Sequence, residues 1–156
     1  MAIARRLQWY LDAKGVRYDV LPHPHSSSSM ETAQRVQVSA DWLAKPVLLE
    51  DERGYVMAIV PASHRIDLGR LNQQLHRELE LANEREIAEL FHDCDRGAMP
   101  ALGSPYRVPT VYDDALTAAA EVYFEAGDHE DVVHLHGGDF LRLLEGSLHG
   151  RFSQRV

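Results

Sequence analysis

Lysine is nearly missing from this chain of 156 residues: Lys14 and Lys45 stand against fourteen arginines. Cysteine is scarcer still. Cys94 is alone, which excludes an internal disulfide framework and fits a reducing cytoplasm. It lies between Asp93 and Asp95, and neighbouring acids raise a thiol pKa, so a cysteine nucleophile is disfavoured. No apolar run approaches the length of a membrane span. The start, Met1-Ala2-Ile3-Ala4-Arg5-Arg6, has no signal-peptide pattern and leads into an amphipathic helix. Positive charge is also short. A formal net charge of -8 argues against a broad nucleic-acid footprint, which demands a basic surface. Contact with nucleic acid is then small or confined to a local patch. Arg5, Arg6, Lys14 and Arg17 form one candidate, and Arg65 with Arg70 another. Scattered arginines that keep an acidic protein soluble explain the same positions.

What is present is an ordinary globular composition, 45% hydrophobic and 26% charged, with no internal repeat and no linker. One domain over residues 1–156 is the expectation, with a monomer as the default state. Ile3, Leu7, Tyr10 and Leu11 predict a helix over 2–15 closed by Gly15, followed by a strand over 16–21. Pro22 to Ser29 reads as a loop, and Ser29 with Thr32 caps a helix running to about Val38. Strands at 45–50 and 55–60 meet at Asp51-Glu52-Arg53-Gly54 as a hairpin. Residues 61–65 read as a loop, Asp67 starts a short helix, and Asn83 with Glu86 makes a capping box for 84–91. Residues 94–110 form a structured loop, followed by strands at 110–113, 120–125 and 131–136. A last helix follows Gly137-Gly138, with Asp139 as its cap and Phe140, Leu141, Leu143 and Leu144 on its buried side. The fold class is mixed α/β, and the hairpin rules out a purely parallel sheet.

Lys45 is the first candidate for chemistry. It enters the apolar run Trp42 to Leu49, where an ammonium must be hydrogen-bonded, shift its pKa, or reach a cavity. A compact charge of this kind can address a single carbonyl or phosphate oxygen. A stem lying on the core with its head in water is the competing reading, and codon bias is another source of the arginine excess. Gly97-Ala98-Met99-Pro100-Ala101-Leu102-Gly103 is the second feature. Its glycines permit close backbone approach and its proline stiffens it, but no Gly-Lys-Ser/Thr follows, so it is no P-loop. A plain structural turn accounts for it equally well. Nine histidines include His23 with His25 and His134 with His136, yet no His-Glu-x-x-His or Cys-x-x-Cys pattern supports zinc. No metal and no cofactor are expected. Asp128-His129-Glu130-Asp131 is either a capped turn with a solvated histidine or a strand entry that presents His129. Ser26 to Ser29 lack a Gly-x-Ser-x-Gly elbow, which disfavours a covalent serine mechanism.

These pieces, in order, resemble the YbaK/prolyl-tRNA-synthetase-associated family, over nearly the whole chain. The resemblance rests on Thr32-Ala33-Gln34, Lys45 opening an apolar strand, the Pro61-to-Leu68 stretch and Asp93-to-Gly103. It continues through Ala126-Gly127-Asp128-His129-Glu130-Asp131 to a final Asp139-Phe140 helix. It implies a mixed, barrel-like sheet flanked by helices, with a pocket between Lys45 and the glycine–proline loop. It also implies an aminoacyl-tRNA deacylase, hydrolysing the ester of a mischarged tRNA in trans at the acceptor end, in the cytoplasm. A small amino acid such as Ala, Ser, Thr or Cys is the expected cargo, and an aminoacyl-tRNA synthetase a possible partner. Lys45, Gly97 and His129 carry over as catalytic residues, with Met99, Pro100, Leu102, Gly103, Ser63 and His64 around the substrate. Some members have a glycine-to-proline spacing one residue longer than the Gly-x-x-Pro here.

An aminoacyl ester is already activated, so positioning and charge stabilisation can suffice without a protein nucleophile. In this reading Lys45 binds the ester carbonyl or the terminal phosphate, and the backbone of Gly97 to Met99 holds the α-amine and carbonyl. His129 orients substrate or water, and Met99 and Leu102 shape a side-chain pocket that selects by exclusion. Two other classes compete. One is a non-catalytic module holding an aminoacyl group, a small metabolite or a synthetase. The other, weaker, is a metal-dependent hydrolase using His134 and His136.

Overall fold

The computed structural model describes residues 3–156. Helix α1 (Arg5–Lys14) buries Leu7 and Leu11, one turn apart, and ends at Gly15, whose φ of 68° is the left-handed cap a glycine accepts. Ala2, where the helix was expected to begin, lies outside the described residues. Strand β1 (Asp19–Pro22) is shorter and later than expected, because its register is set by a distant strand: Asp19 opposes His134 and Pro22 opposes Asp131. In α2 (Ser29–Val36) the cap is Ser28 rather than Ser29, its hydroxyl accepting the Glu31 N–H, and Thr32 is a buried side chain. The hairpin of β2 (Ala44–Asp51) and β3 (Gly54–Pro61) forms as expected, with Lys45 opposite Val60.

Residues 61–65, expected as a loop, instead enter a strand, β4 (His64–Ile66). Asp67 caps α3 (Leu68–Leu75), a two-residue strand β5 (Glu80–Leu81) follows, and Asn83 with Glu86 makes the expected capping box of α4 (Glu84–Leu90). The segment after α4 is irregular up to β6 (Thr110–Asp113), apart from a 3-10 turn at Ser104–Tyr106. Next come β7 (Glu121–Glu125) and β8 (Asp131–His136), close to the expected ranges. Helix α5 (Gly137–Leu143) starts at Gly137 itself, where a Cβ would collide with the Ala119 carbonyl. Asp139 therefore lies inside the first turn, bound to Arg142, and caps nothing. Phe140, Leu143 and Leu144 are buried, whereas Leu141 is half-buried. Two short strands that the sequence did not announce finish the chain, β9 (Leu148–Gly150) and β10 (Ser153–Arg155).

The main sheet has the order β5-β2-β3-β6-β9, antiparallel around the hairpin and parallel from β3 to β9. An antiparallel sheet β1-β8-β7 and a pair β4-β10 complete it, so the fold is mixed α/β. Among the described residues the strands do not close into a barrel. A single parallel bridge, Leu43 to Tyr123, joins the two larger sheets, supported by the Tyr123 N–H donating to the Trp42 carbonyl at 2.9 Å. Along β2 the pleat sends Ala44 and Leu48 to one core cluster, with Leu7, Met57 and Phe124. Val47 and Leu49 face a second cluster containing Val60, Leu71 and Phe152. Each wholly buried Leu or Phe contributes about 1.5–3 kcal/mol. Phe152 matters for the site: its N–H donates to Asp113 and its carbonyl receives the Asp67 N–H, which fixes β10 against β4.

Candidate functional site

Lys45 leaves β2 on the face of Val47, not the face of Ala44 and Leu48. Its Nζ donates to the His64 carbonyl at 2.8 Å, which satisfies one of three N–H groups. Burial pushes its pKa down, and the nearby Arg65 charge pushes it further. The His64 ring is held in turn. Ser153 gives its one proton to Asp113 at 2.8 Å, so its oxygen accepts from His64 Nδ1 at 2.9 Å, and Nε2 is left open. Ser63, buried beside it, donates to Asp41, and Asp41 is also gripped by Arg155 at 2.9 Å.

Gly97 and His129 form a second group. Gly97 has a φ of 81°, and a Cβ there would stand 3.2 Å from His129 Cε1. His129 itself sits at φ 62°, an uncommon left-handed position for a side-chain-bearing residue. Its Nε2 donates to the Arg96 carbonyl, since a carbonyl only accepts, leaving Nδ1 as the open acceptor of the neutral ring. The His25 ring lies 5.2 Å away. The rest of the loop is packed rather than presented. Pro100 and Leu102 are buried, Leu102 within the main core, and Met99 is half-buried against it. A Cβ on Gly103 would collide with the Val108 carbonyl and the Thr110 hydroxyl.

The structure thus brings Ser63 and His64 to Lys45, and Gly97 to His129. No hydrogen bond links the two groups among the described residues. The strands that lead to them border the same end of β2. On one side of Lys45 lies β3, which turns into β4 and His64. On the other side the Leu43–Tyr123 bridge sets β7, which runs on to the His129 turn. The first turn of α1 closes that second side, with the Ala4 N–H on the Ala126 carbonyl at 2.7 Å.

The alternatives find little here. The Cys94 thiol is pushed up to about 12, first by burial and then by Asp93 and Asp95, with Tyr106 opposing. His134 and His136 both bind Glu121, at 2.7 and 3.0 Å, and His134 stacks on Tyr123. No group of three or more metal-ligating side chains occurs among the described residues.

The comparisons with known proteins settle the kinship. The family model of the aminoacyl-tRNA editing domain matches residues 23–143. The chain belongs to the aminoacyl-tRNA editing domain family. No curated protein matches it in sequence. Three solved structures share its fold, each with a TM-score of 0.85. A candidate trans-editing enzyme for prolyl tRNA synthetase is 24% identical, covering 99% of this chain and 98% of its own. A scaffold from computational epitope grafting is 22% identical, covering 100% and 99%. A hypothetical protein is 18% identical, covering 96% and 100%. No described helix is long and apolar enough to cross a membrane.

Within this editing-domain fold the sequence reading missed one polar cluster. Glu125 ends β7 on the same face as Tyr123, one pleat beyond the bridge, and is 8% exposed. Its Oε2 accepts from the Thr32 hydroxyl at 2.7 Å, and Ser26 bonds Thr32 at 2.6 Å. Its Oε1 and His23 Nε2, 3.9 Å apart, are both buried without a hydrogen-bond partner. Burial raises the Glu125 pKa, with Thr32 and the neighbouring histidines His23 and His129 opposing. A carboxyl whose folded pKa lies above its unfolded value is neutral in both states at low pH and destabilises the fold as pH rises. Glu125→Gln is therefore expected to raise the melting temperature at about pH 7.5 and to leave it unchanged near about pH 3.5. Equal melting of wild type and variant at both pH values would sink this account.

Proposed function

We propose that this chain hydrolyses the ester joining a wrongly attached amino acid to the 3′ end of a tRNA, acting in trans on a small residue such as Ala, Ser, Thr or Cys. Family membership supports the reaction class. The observation that carries the residue assignment is the position of Lys45, one of two lysines, half-buried with its ammonium on the His64 carbonyl. With one N–H spent on the His64 carbonyl, two remain for the ester carbonyl and for the oxyanion that develops when water attacks. The backbone at Gly97 approaches the substrate's α-amine without a side chain in the way, and His129 Nδ1 accepts from that amine or from the water. The tetrahedral intermediate then collapses to free amino acid and the terminal hydroxyl. No protein nucleophile enters, in keeping with the raised Cys94 thiol. An ammonium beside the developing charge and a fixed acceptor opposite it supply the electrostatic stabilisation that such a step needs.

The test is a deacylation panel of Ala, Ser, Thr and Cys on cognate and non-cognate tRNAs, with proline tRNA first because one structural neighbour is named for prolyl tRNA synthetase. Selective turnover of one mischarged species is expected. Binding of the acceptor end without turnover on any member would assign a non-catalytic module instead.

A further inference from the structure

Helix α1 carries a face that the chemistry above leaves idle. Leu7 and Leu11 are its core side, and Trp9, about 200° around the helix from each, stands at the crown of the solvent side, 74% exposed. Arg5 and Arg6 precede Trp9 by four and three residues, so the three share one surface. Arg6, Tyr10 and Lys14 follow one another at four-residue spacing along the next ridge. Arg6 lies over the Tyr106 ring at 5.9 Å and Lys14 over the Tyr10 ring at 5.5 Å, and neither side chain enters an ion pair with a described residue. Asp12, the one acid of the helix, receives the Tyr18 hydroxyl at 3.0 Å. The helix itself gains nothing from this arrangement. Two cations in its first turn face the positive end of the dipole, and Ala4 supplies no capping side chain. An indole left in water adds no burial. Local rules broken without a gain in packing point to a functional surface. Charge is segregated here too: the first eighteen residues hold four basic side chains and one acid, in a chain of net charge -8.

We propose that this α1 face docks the double-stranded stem of an RNA, with Trp9 in the minor groove and Arg5, Arg6 and Lys14 on the phosphates beside it. The minor groove of A-form RNA is wide and shallow and displays ribose hydroxyls, which suit an indole with one N–H donor. Guanidinium forks match phosphate oxygens. A helix of ten residues spans about 15 Å, so only a few phosphates are touched. That is the local footprint an acidic chain can support. An anionic membrane also attracts basic helices, but it takes up a continuous apolar face, and here Leu7 and Leu11 are sealed in the core. Resting on the deacylase reading, the RNA is the acceptor stem of the tRNA. The placement of α1 agrees with this. The Ala4 N–H bonds the Ala126 carbonyl at 2.7 Å, and a Cβ on Gly127 would stand 3.0 Å from that of Ala4. The arginine pair thus begins beside the turn that carries His129.

The probe is a non-aminoacylated RNA hairpin that mimics an acceptor stem with its single-stranded 3′ end, so binding is read without hydrolysis. Its affinity is followed by fluorescence anisotropy across a range of salt. Arg5→Gln combined with Arg6→Gln is expected to make the slope of log Kd against log salt shallower by about 2, since each duplex phosphate contact contributes about 0.9. Trp9→Ala should weaken binding about tenfold and leave the slope as it is. Arg53→Gln, at the hairpin turn, should change neither. All four side chains are exposed, so the variants should fold. A slope that the arginine pair does not alter overturns the proposal, and so does an equal effect from Arg53→Gln. Binding to phosphatidylserine vesicles that Trp9→Ala abolishes, with RNA affinity unchanged, gives the face to a membrane and overturns it as well. The two readings fail differently. Without deacylation the hairpin still binds through α1; without this docking face mischarged tRNA is still hydrolysed, and the α1 variants leave its KM unchanged.

Discussion

Lys45→Ala should lower kcat/KM for the best mischarged tRNA by roughly 100- to 1000-fold, the cost of removing one donor aimed at a developing oxyanion. The fold should survive, because the side chain is only half-buried and its single hydrogen bond is to the His64 carbonyl. Lys45→Arg should not restore the rate: a planar fork cannot keep that bond and still present a point charge to the ester. The pH dependence carries a second, independent signature. Lys45 must be cationic to stabilise an oxyanion, and its pKa is lowered first by burial and then by Arg65. The Lys45 contribution to the rate is therefore fully present below that depressed pKa and is lost as pH rises through it, earlier than for an ordinary lysine. Removing a like charge raises the pKa of the group it repels, so Arg65→Ala should move the alkaline limb to higher pH. Melting curves at neutral pH and kcat/KM profiles across the alkaline range check both. An Arg65→Ala profile that overlays the wild type would break the link between Lys45 charge and rate.

Much of this architecture is written locally. The Asn83–Glu86 capping box, the Asp67 cap, the Gly15 stop and the hairpin at Asp51 to Gly54 are short-range signals, and each forms where the residues dictate. Strands β4 and β10 were not legible because each has three residues and its pairing is remote, Ser153 with Ile66 and Arg155 with His64. Missing that pair hid the His64 carbonyl as the anchor of Lys45. Lys45 itself stood out, since an ammonium in an apolar strand demands an explanation from sequence alone. Glu125 did not. It shares the parity of Glu121, four residues back, and an alternating Glu-Val-Tyr-Phe-Glu strand reads as having one solvated face. Its burial comes from Thr32 on α2 and from His23, contacts that no window of sequence contains. The acids flanking Cys94 pointed the right way, but burial acts on its thiol more strongly than they do.

The glycine at the head of the loop offers the sharpest geometric test. Gly97→Ala must adopt a left-handed φ of 81° and place a methyl 3.2 Å from His129 Cε1, closer than comfortable carbon contact. The loop is tied down by the Ala98 N–H on the Asp95 carbonyl and by Ala98 and Ala101 in the core, so the imidazole is the part that yields. His129 would then lose its bond to the Arg96 carbonyl and with it the orientation of Nδ1. His129→Ala is expected to cost about 100-fold in kcat/KM, the scale of a misplaced orienting group. Gly97→Ala should approach that loss while His129 is present. In the double variant the methyl has no ring to displace, so Gly97→Ala should add little further loss in rate and should cost less stability than it does alone. Coupling of that size is the signature of residues in contact. If the two substitutions instead multiplied their effects, as independent sites do, the Gly97 contact would be separate from the work of His129, and the loop backbone itself would have to carry the substrate contact.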